Sequence, residues 1–166
     1  MQKRREARSV GKNGQSVPVV VATWSKLSQA GPCRIYCPCL KGLPAELAAH
    51  LAILPIHDAN GVLLRELPRE TEHLAPEFAA VCLSDPFRRA EMLFAAIRAA
   101  GIRGIVNFPS VTTLFGSDRD DNLRKLYRRE LDHLDLAKTM GFEVLRIGVD
   151  VANGDFPVNQ LEFLLD

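Results

Sequence analysis

The residues best placed to do chemistry in this chain are acids, amides and hydroxyls that stand just after apolar runs. Asp85 follows Phe78-Ala-Ala-Val-Cys-Leu83 by way of Ser84. A carboxylate there can orient a substrate hydroxyl, serve as a general base or hold a divalent metal, and an aspartate before Pro86 is equally a helix N-cap. Asn107 lies in the next apolar run, Arg103 to Phe108, where its amide could donate to a carboxylate or enolate oxygen. Asp58 and Asn60 are two residues apart and present both side chains at one helix entrance, a placement that capping also explains. Ser84 and Ser110 stand beside turns as potential donors to phosphate or carboxylate. No histidine lies at a distance that implies a nucleophilic triad, and His50, His57, His73 and His133 read as surface residues on polar or helical positions.

Four cysteines complete the reactive side chains. Cys33-x3-Cys37-Pro38-Cys39, with Cys82 far downstream, lacks the paired C-x2-C frame and the histidine spacing of a zinc site. Reduced, small, buried side chains of a cytoplasmic protein are the expectation, with no metal assigned and the cofactor left open.

The elements that must position these groups are legible in the hydrophobic pattern. Val17 to Thr23 is a continuous β-branched run, the pattern of a strand covered on both faces, and Arg34 to Cys37 offers a second short strand. Pro38 to Pro55 reads as a loop carrying a short helix, and Asp58-Ala59-Asn60 caps a helix through Leu67. The run from Phe78 to Leu83 predicts a third strand. After Pro86 a helix is expected with Phe87, Ala90, Leu93, Phe94, Ile97 and Ala100 on its core face and Gly101 at its end. The pattern then repeats. A strand over Arg103–Phe108 leads through a loop with Gly116, Asp118, Asp120 and Asp121 to a helix from about Asn122, whose stripe is Leu123, Leu126, Tyr127, Leu131, Leu134 and Ala137. Gly141 ends it, and Phe142 to Val149 is the next strand.

Strands alternating with helices of this length call for a parallel sheet, because each crossover must return along the sheet face. About five parallel strands are expected, with Asp85, Asn107 and Asp150 near one rim. A complete (β/α)8 barrel takes about 250 residues, so a chain of 166 falls short of eight units. The fold class is therefore α/β, a partial TIM barrel over 16–166 behind a basic arm over 1–15. That arm holds Lys3, Arg4, Arg5, Arg8 and Lys12 among small polar residues, too few of them apolar to offset the entropy of ordering. Lysine plus arginine (21) nearly balance aspartate plus glutamate (20), and no aromatic residue interleaves the arm's charges, so nucleic acid is not an expected partner. No apolar run approaches a membrane span, and no membrane partner is expected.

Two stretches resemble a known family. Ile35-Tyr36, followed by Leu54-Pro-Ile-His-Asp58-Ala59-Asn60, is similar to an I-Y-N-S segment and an L-P-Y-x-D-A-N segment. Val81-Cys82-Leu-Ser-Asp85-Pro86-Phe87-Arg88, then Gly101-Ile-Arg-Gly104-Ile-Val-Asn107-Phe108-Pro109-Ser110-Val111, resemble V-C-x-T-D-P-F-R and G-x-x-G-V-x-N-F-P-T-V, with Asn122-Leu123 similar to R-x-N-L-E. These are motifs of the TIM-barrel phosphoenolpyruvate hydrolase-like family, in its order. The chain departs from that pattern where a G-A-G-T-G turn is replaced by Val21-Ala-Thr-Trp24-Ser-Lys26, with Trp24 reading as a packing residue. It departs again where N-S-G-R becomes Cys37-Pro-Cys-Leu-Lys41, and where Arg124 to Glu130 reads as ordinary helix surface.

The resemblance implies a small carboxylate or phosphorylated keto-acid as ligand. An active, hydrolase-like protein would use Asp85 as acid, base or metal ligand and Asn107 as oxyanion donor, with Asp58 and Asn60 shaping the mouth. The alternative is a non-catalytic binding or interaction module, a truncated barrel closed by self-association, because open sheet edges and an uncovered inner face invite a second copy.

Overall fold

The computed structural model describes residues 16–54, 57–67, 75–114 and 120–165; the basic arm, Pro55, Ile56, His73, Gly116 and Asp118 lie outside these. Among these residues, six short strands form one all-parallel sheet: β1 (Val19–Val21), β2 (Arg34–Tyr36), β3 (Phe78–Ala80), β4 (Gly104–Val106), β5 (Glu143–Leu145) and β6 (Glu162–Leu164), in the order β5-β4-β3-β2-β1-β6. The sheet is an α/β arrangement of partial TIM-barrel kind and is not closed. β3, β4 and β5 are neighbours in register, Phe78 beside Gly104 and Gly104 beside Glu143, as the repeated strand-helix pattern predicts. The count is six and not five, because Glu162–Leu164 returns to pair with β1 on its far side.

Among the described residues, four helices accompany the strands: α1 (Ala48–Ala52), α2 (Ala59–Glu66), α3 (Ala90–Ala99) and α4 (Asp121–Thr139). Gly101 and Gly141 end α3 and α4 with positive φ of 79° and 84°, a backbone region where a side chain would be strained. At each end the glycine N–H bonds the carbonyl of Arg98 or Lys138, and the next residue, Ile102 or Phe142, bonds that of Ile97 or Ala137. These paired bonds satisfy the last orphan carbonyls and turn the chain straight into β4 and β5.

One sheet face, with Val21, Tyr36, Ala79 and Ile105, packs on α2, α3 and α4. Leu93, Phe94 and Ile97 of α3 are fully buried there, each stabilising by about 1.5–3 kcal/mol. The opposite face, with Val20, Ile35, Ala80 and Val106, was expected to be uncovered. It is instead filled by Leu40, Ala48 and Ala52 from the segment after β2, by Phe108, and by Leu161 and Leu165 around β6.

The start of α3 departs from expectation. The helix begins at Ala90 with Arg89 in extended conformation at its N-cap, and Phe87 is 90% exposed instead of facing the core. The reason is local: the Asp85 N–H bonds Cys82 O and the Asp85 carboxylate accepts the Phe87 N–H, so residues 82–88 form a turn before the helix can start. Asp85 therefore caps a turn and not α3. Asp58 does cap α2, accepting the Gly61 N–H at 3.0 Å, and Asp120 caps α4.

Candidate functional site

Because all strands run parallel, the segments that follow them emerge at one rim. Asp85 follows β3 and Asn107 follows β4 there. Between the start of α2 and the turn after β3 lies a cavity of about 450 Å³ bordered by Asp58, Asn60, Ser84, Asp85 and Arg88 on its polar side. Ile53, Leu54, Pro86 and the exposed Phe87 supply an apolar wall.

Four of these groups form one network. Asn60 is buried and clamps the backbone just beyond β3: its Oδ1 accepts the Cys82 N–H and its Nδ2 donates to Cys82 O, both at 2.9 Å. Nδ2 also donates to Asp85 Oδ2 at 2.9 Å, and Arg88 Nη1 donates to the same oxygen at 3.1 Å. Arg88 in turn forks onto Asp58, with Nη1–Oδ1 at 2.7 Å and Nη2–Oδ2 at 2.8 Å. Burial alone would raise the Asp85 carboxyl, yet the bonds from Phe87, Asn60 and Arg88 outweigh it and hold the group below the usual aspartate range. Ser84 Oγ has a long 3.5 Å contact with Cys82 Sγ.

Asn107 and Ser110 belong to a second network, deeper in the fold. Asn107 is fully buried and clamps the backbone beyond β5 as Asn60 does beyond β3: Oδ1 accepts the Ile147 N–H at 2.7 Å, and Nδ2 donates to Ile147 O at 2.9 Å. The two asparagines continue the sheet with side chains where the backbone ladder stops. Nδ2 of Asn107 also donates to Glu130 Oε2 at 2.9 Å, Ser110 Oγ donates to Glu130 Oε2 at 2.7 Å, and the Val111 N–H meets Oε1 at 2.9 Å. Glu130 is therefore a fully buried carboxylate and not helix surface. Burial pushes its carboxyl above the ordinary glutamate range, against the pull of the Asn107, Val111 and Ser110 donors. The Asn107 amide is spent inside this network.

The rim thus gathers Asp58, Asn60, Ser84 and Asp85 around one cavity and places Asn107 and Ser110 behind it. The two networks adjoin at Cys82, whose thiol is raised first by burial, with the negative charges of Glu130 and Asp85 adding to this. Sequence reasoning missed Arg88, Glu130 and His133, whose Nδ1 donates to Leu83 O at 2.9 Å and ties α4 to the segment after β3. A signal for Glu130 was present: it falls on the apolar stripe of α4, at three- and four-residue steps with Leu123, Tyr127, Leu134 and Ala137. Among the described residues, no group of three or more histidines, cysteines or acids is arranged to hold a metal. No described helix is long and apolar enough to cross a membrane.

Among known proteins, the chain is similar to the uncharacterized protein y4oT of Sinorhizobium fredii, 43% identical over 83 residues, which are 50% of this chain and 42% of that protein. It is also similar to the ToMV resistance protein Tm-1(GCR237) of Solanum lycopersicum and to the ToMV susceptible protein tm-1(GCR26) of the same plant. Each is 34% identical over 95 residues, 54% of this chain and 12% of theirs. The match therefore spans less than half the length of these curated relatives. The profile of the phosphoenolpyruvate hydrolase-like family matches residues 45–150, which hold α1 to α4, β3 to β5 and both asparagine clamps. The chain belongs to the phosphoenolpyruvate hydrolase-like family.

Proposed function

We propose that the protein binds a small carboxylate or phosphorylated keto-acid in the cavity after β3, with Arg88 as the anion anchor. The observation that carries this reading is the unequal exposure of the two carboxylates on Arg88. Asp85 is held on the inner side by Asn60 and the Phe87 N–H, whereas Asp58 has 48% of its side chain exposed. An incoming acid group can take the place of Asp58 on the guanidinium fork, whose planar donors suit carboxylate and phosphate alike. Asp58 gives up the guanidinium at little cost while keeping its cap on α2, because exposed ion pairs contribute roughly 0–1 kcal/mol. Ser84 offers a hydroxyl donor to a second oxygen, and the wall of Leu54, Pro86 and Phe87 receives the carbon skeleton. The cavity volume of about 450 Å³ falls within the range for small-molecule sites, roughly 300–1,000 Å³.

The same geometry favours binding over proton transfer. Both Asp85 oxygens already accept hydrogen bonds, and a carboxylate held below its usual range is a weak base at neutral pH. Asp85 and Asn60 then act as positioning residues that aim Arg88. Isothermal calorimetry with phosphoenolpyruvate, pyruvate and inorganic phosphate tests the reading. Arg88→Ala should abolish binding, and Asp58→Asn should keep or strengthen it because it removes the competing charge. Equal affinity in the wild type and Arg88→Ala, or release of phosphate from phosphoenolpyruvate at an enzymatic rate, would overturn it.

A further inference from the structure

Two thiols meet at the end of β2, away from the Arg88 cavity. Cys37 follows the strand directly, its N–H bonding Val21 O at 2.8 Å, and Pro38–Leu40 turn back over it with the Leu40 N–H on Cys37 O. This turn brings Cys37 Sγ and Cys39 Sγ to 3.5 Å. A disulfide needs about 2.05 Å, so closure requires the sulfurs to approach by roughly 1.5 Å. Pro38 fixes one backbone torsion between them and limits the conformations lost when the ring closes.

The two thiols are unlike in access. Both are buried among Leu40 and Ala48, Cys37 at 1% and Cys39 at 8% exposure, but Cys39 also borders a cavity of about 550 Å³ that it shares with Trp24, Lys41 and Glu66. We propose that Cys37 and Cys39 form a redox-active dithiol that reduces disulfides of low-molecular-weight thiols, Cys39 attacking and Cys37 resolving. The contact with Cys37 holds the Cys39 thiol below its ordinary value despite burial, while burial pushes Cys33, Cys37 and Cys82 up. In the first step the Cys39 thiolate bonds to one sulfur of the small disulfide. The S–S bond breaks, and the departing thiolate takes a proton. Cys37 then loses its proton, its sulfur bonds to Cys39 Sγ, and the second small thiol leaves. The protein gives up two electrons and two protons, and the small disulfide becomes two thiols.

The test incubates the whole protein with glutathione disulfide, blocks remaining thiols with a maleimide and cleaves with trypsin. Cleavage after Arg34 and Lys41 releases Ile35 to Lys41, which holds both cysteines. The wild-type peptide should be unblocked and lighter by two hydrogens. Cys37→Ser should accumulate a glutathione adduct on Cys39, and Cys39→Ser should lose reaction at this peptide altogether. A wild-type peptide carrying two maleimides, a wild type that stops at the adduct, or a Cys39→Ser protein that consumes glutathione disulfide at the wild-type rate would each overturn the proposal. Circular dichroism checks that the variants fold; should either fail, the wild-type peptide mass decides alone.

Discussion

Replacing Glu130 by glutamine changes one buried oxygen into an amide while keeping the side chain's shape. Three donors face the carboxylate, from Asn107, Ser110 and Val111, and charge-assisted bonds of this kind contribute about 1.5–3 kcal/mol each. Against them stands the cost of taking a carboxylate out of water, several kcal/mol in a protein interior. The direction of the Glu130 shift, upward with burial as its largest cause, says that burial wins. A native state that holds this proton to higher pH binds more protons than the unfolded chain between the two pKa values, so stability falls with rising pH there. The contribution is therefore fully present below the unfolded value, about 4.3, and is lost as pH climbs through the folded value. Glu130→Gln should cost about 1 kcal/mol at low pH, because the protonated carboxyl also turns an O–H toward the three donors but its hydroxyl oxygen can still accept where the amide nitrogen cannot. That deficit should shrink with pH by at most about 1.4 kcal/mol per unit. Glu130→Ala, which strands the Val111 N–H and removes an acceptor from Ser110 and Asn107, should cost about 2–4 kcal/mol. Urea unfolding of both variants and the wild type between about pH 4 and 8 reads these differences. A deficit for glutamine that stays flat or grows with pH would refute the reasoning, since it would mean that the donors outweigh burial.

Asp85 should show the opposite sign: its depressed carboxyl contributes stability above the unfolded value near 3.9, lost as pH falls through the folded one, and Asp85→Asn should lose that dependence in acid unfolding curves. Asp85→Ala should cost about 1–3 kcal/mol by chemical unfolding and weaken anion binding as well, because Arg88 loses its inner partner. Asn107→Ala should cost about 2–4 kcal/mol in the same assay, as it frees the Ile147 N–H and C=O and one Glu130 acceptor. Gly61→Ala would place a Cβ 2.0 Å from Asp58 Oδ2 and 2.8 Å from Arg88 Nη2, so Asp58 must leave its cap. The expected loss is about 1 kcal/mol in thermal or urea unfolding, with anion binding retained.

The strands were legible because parallel-sheet segments read as continuous apolar runs, and α3 and α4 because their stripes end in glycine. The runs overstate the ladders, however: Val17 to Thr23 yields only Val19–Val21 as strand, since apolar residues past a strand end, such as Val81, Leu83 and Phe108, are buried by loops and not by pairing. β6 escaped notice because no helical pattern introduces it; short 3-10 turns at Val151–Asn153 and Val158–Gln160 fill the place of a crossover helix. Periodicity alone puts Phe87 on the core face, and the Asp85 turn overrides it by delaying the helix. Asp58, Asn60, Ser84 and Asp85 were found from position after apolar runs and at a helix entrance. Arg88 and Glu130 were passed over because charged residues on helices are usually solvated, and only tertiary pairing distinguishes these two.

The central claim, that Arg88 receives a small acid in place of Asp58, is tested most directly by a crystal structure of the protein grown with phosphoenolpyruvate. The account predicts a carboxylate or phosphate oxygen pair on the Arg88 guanidinium, Asp58 released from it, and the Asn60–Asp85 bond unchanged. A ligand bound elsewhere, or one bound in this cavity with the Arg88–Asp58 fork intact, would contradict it.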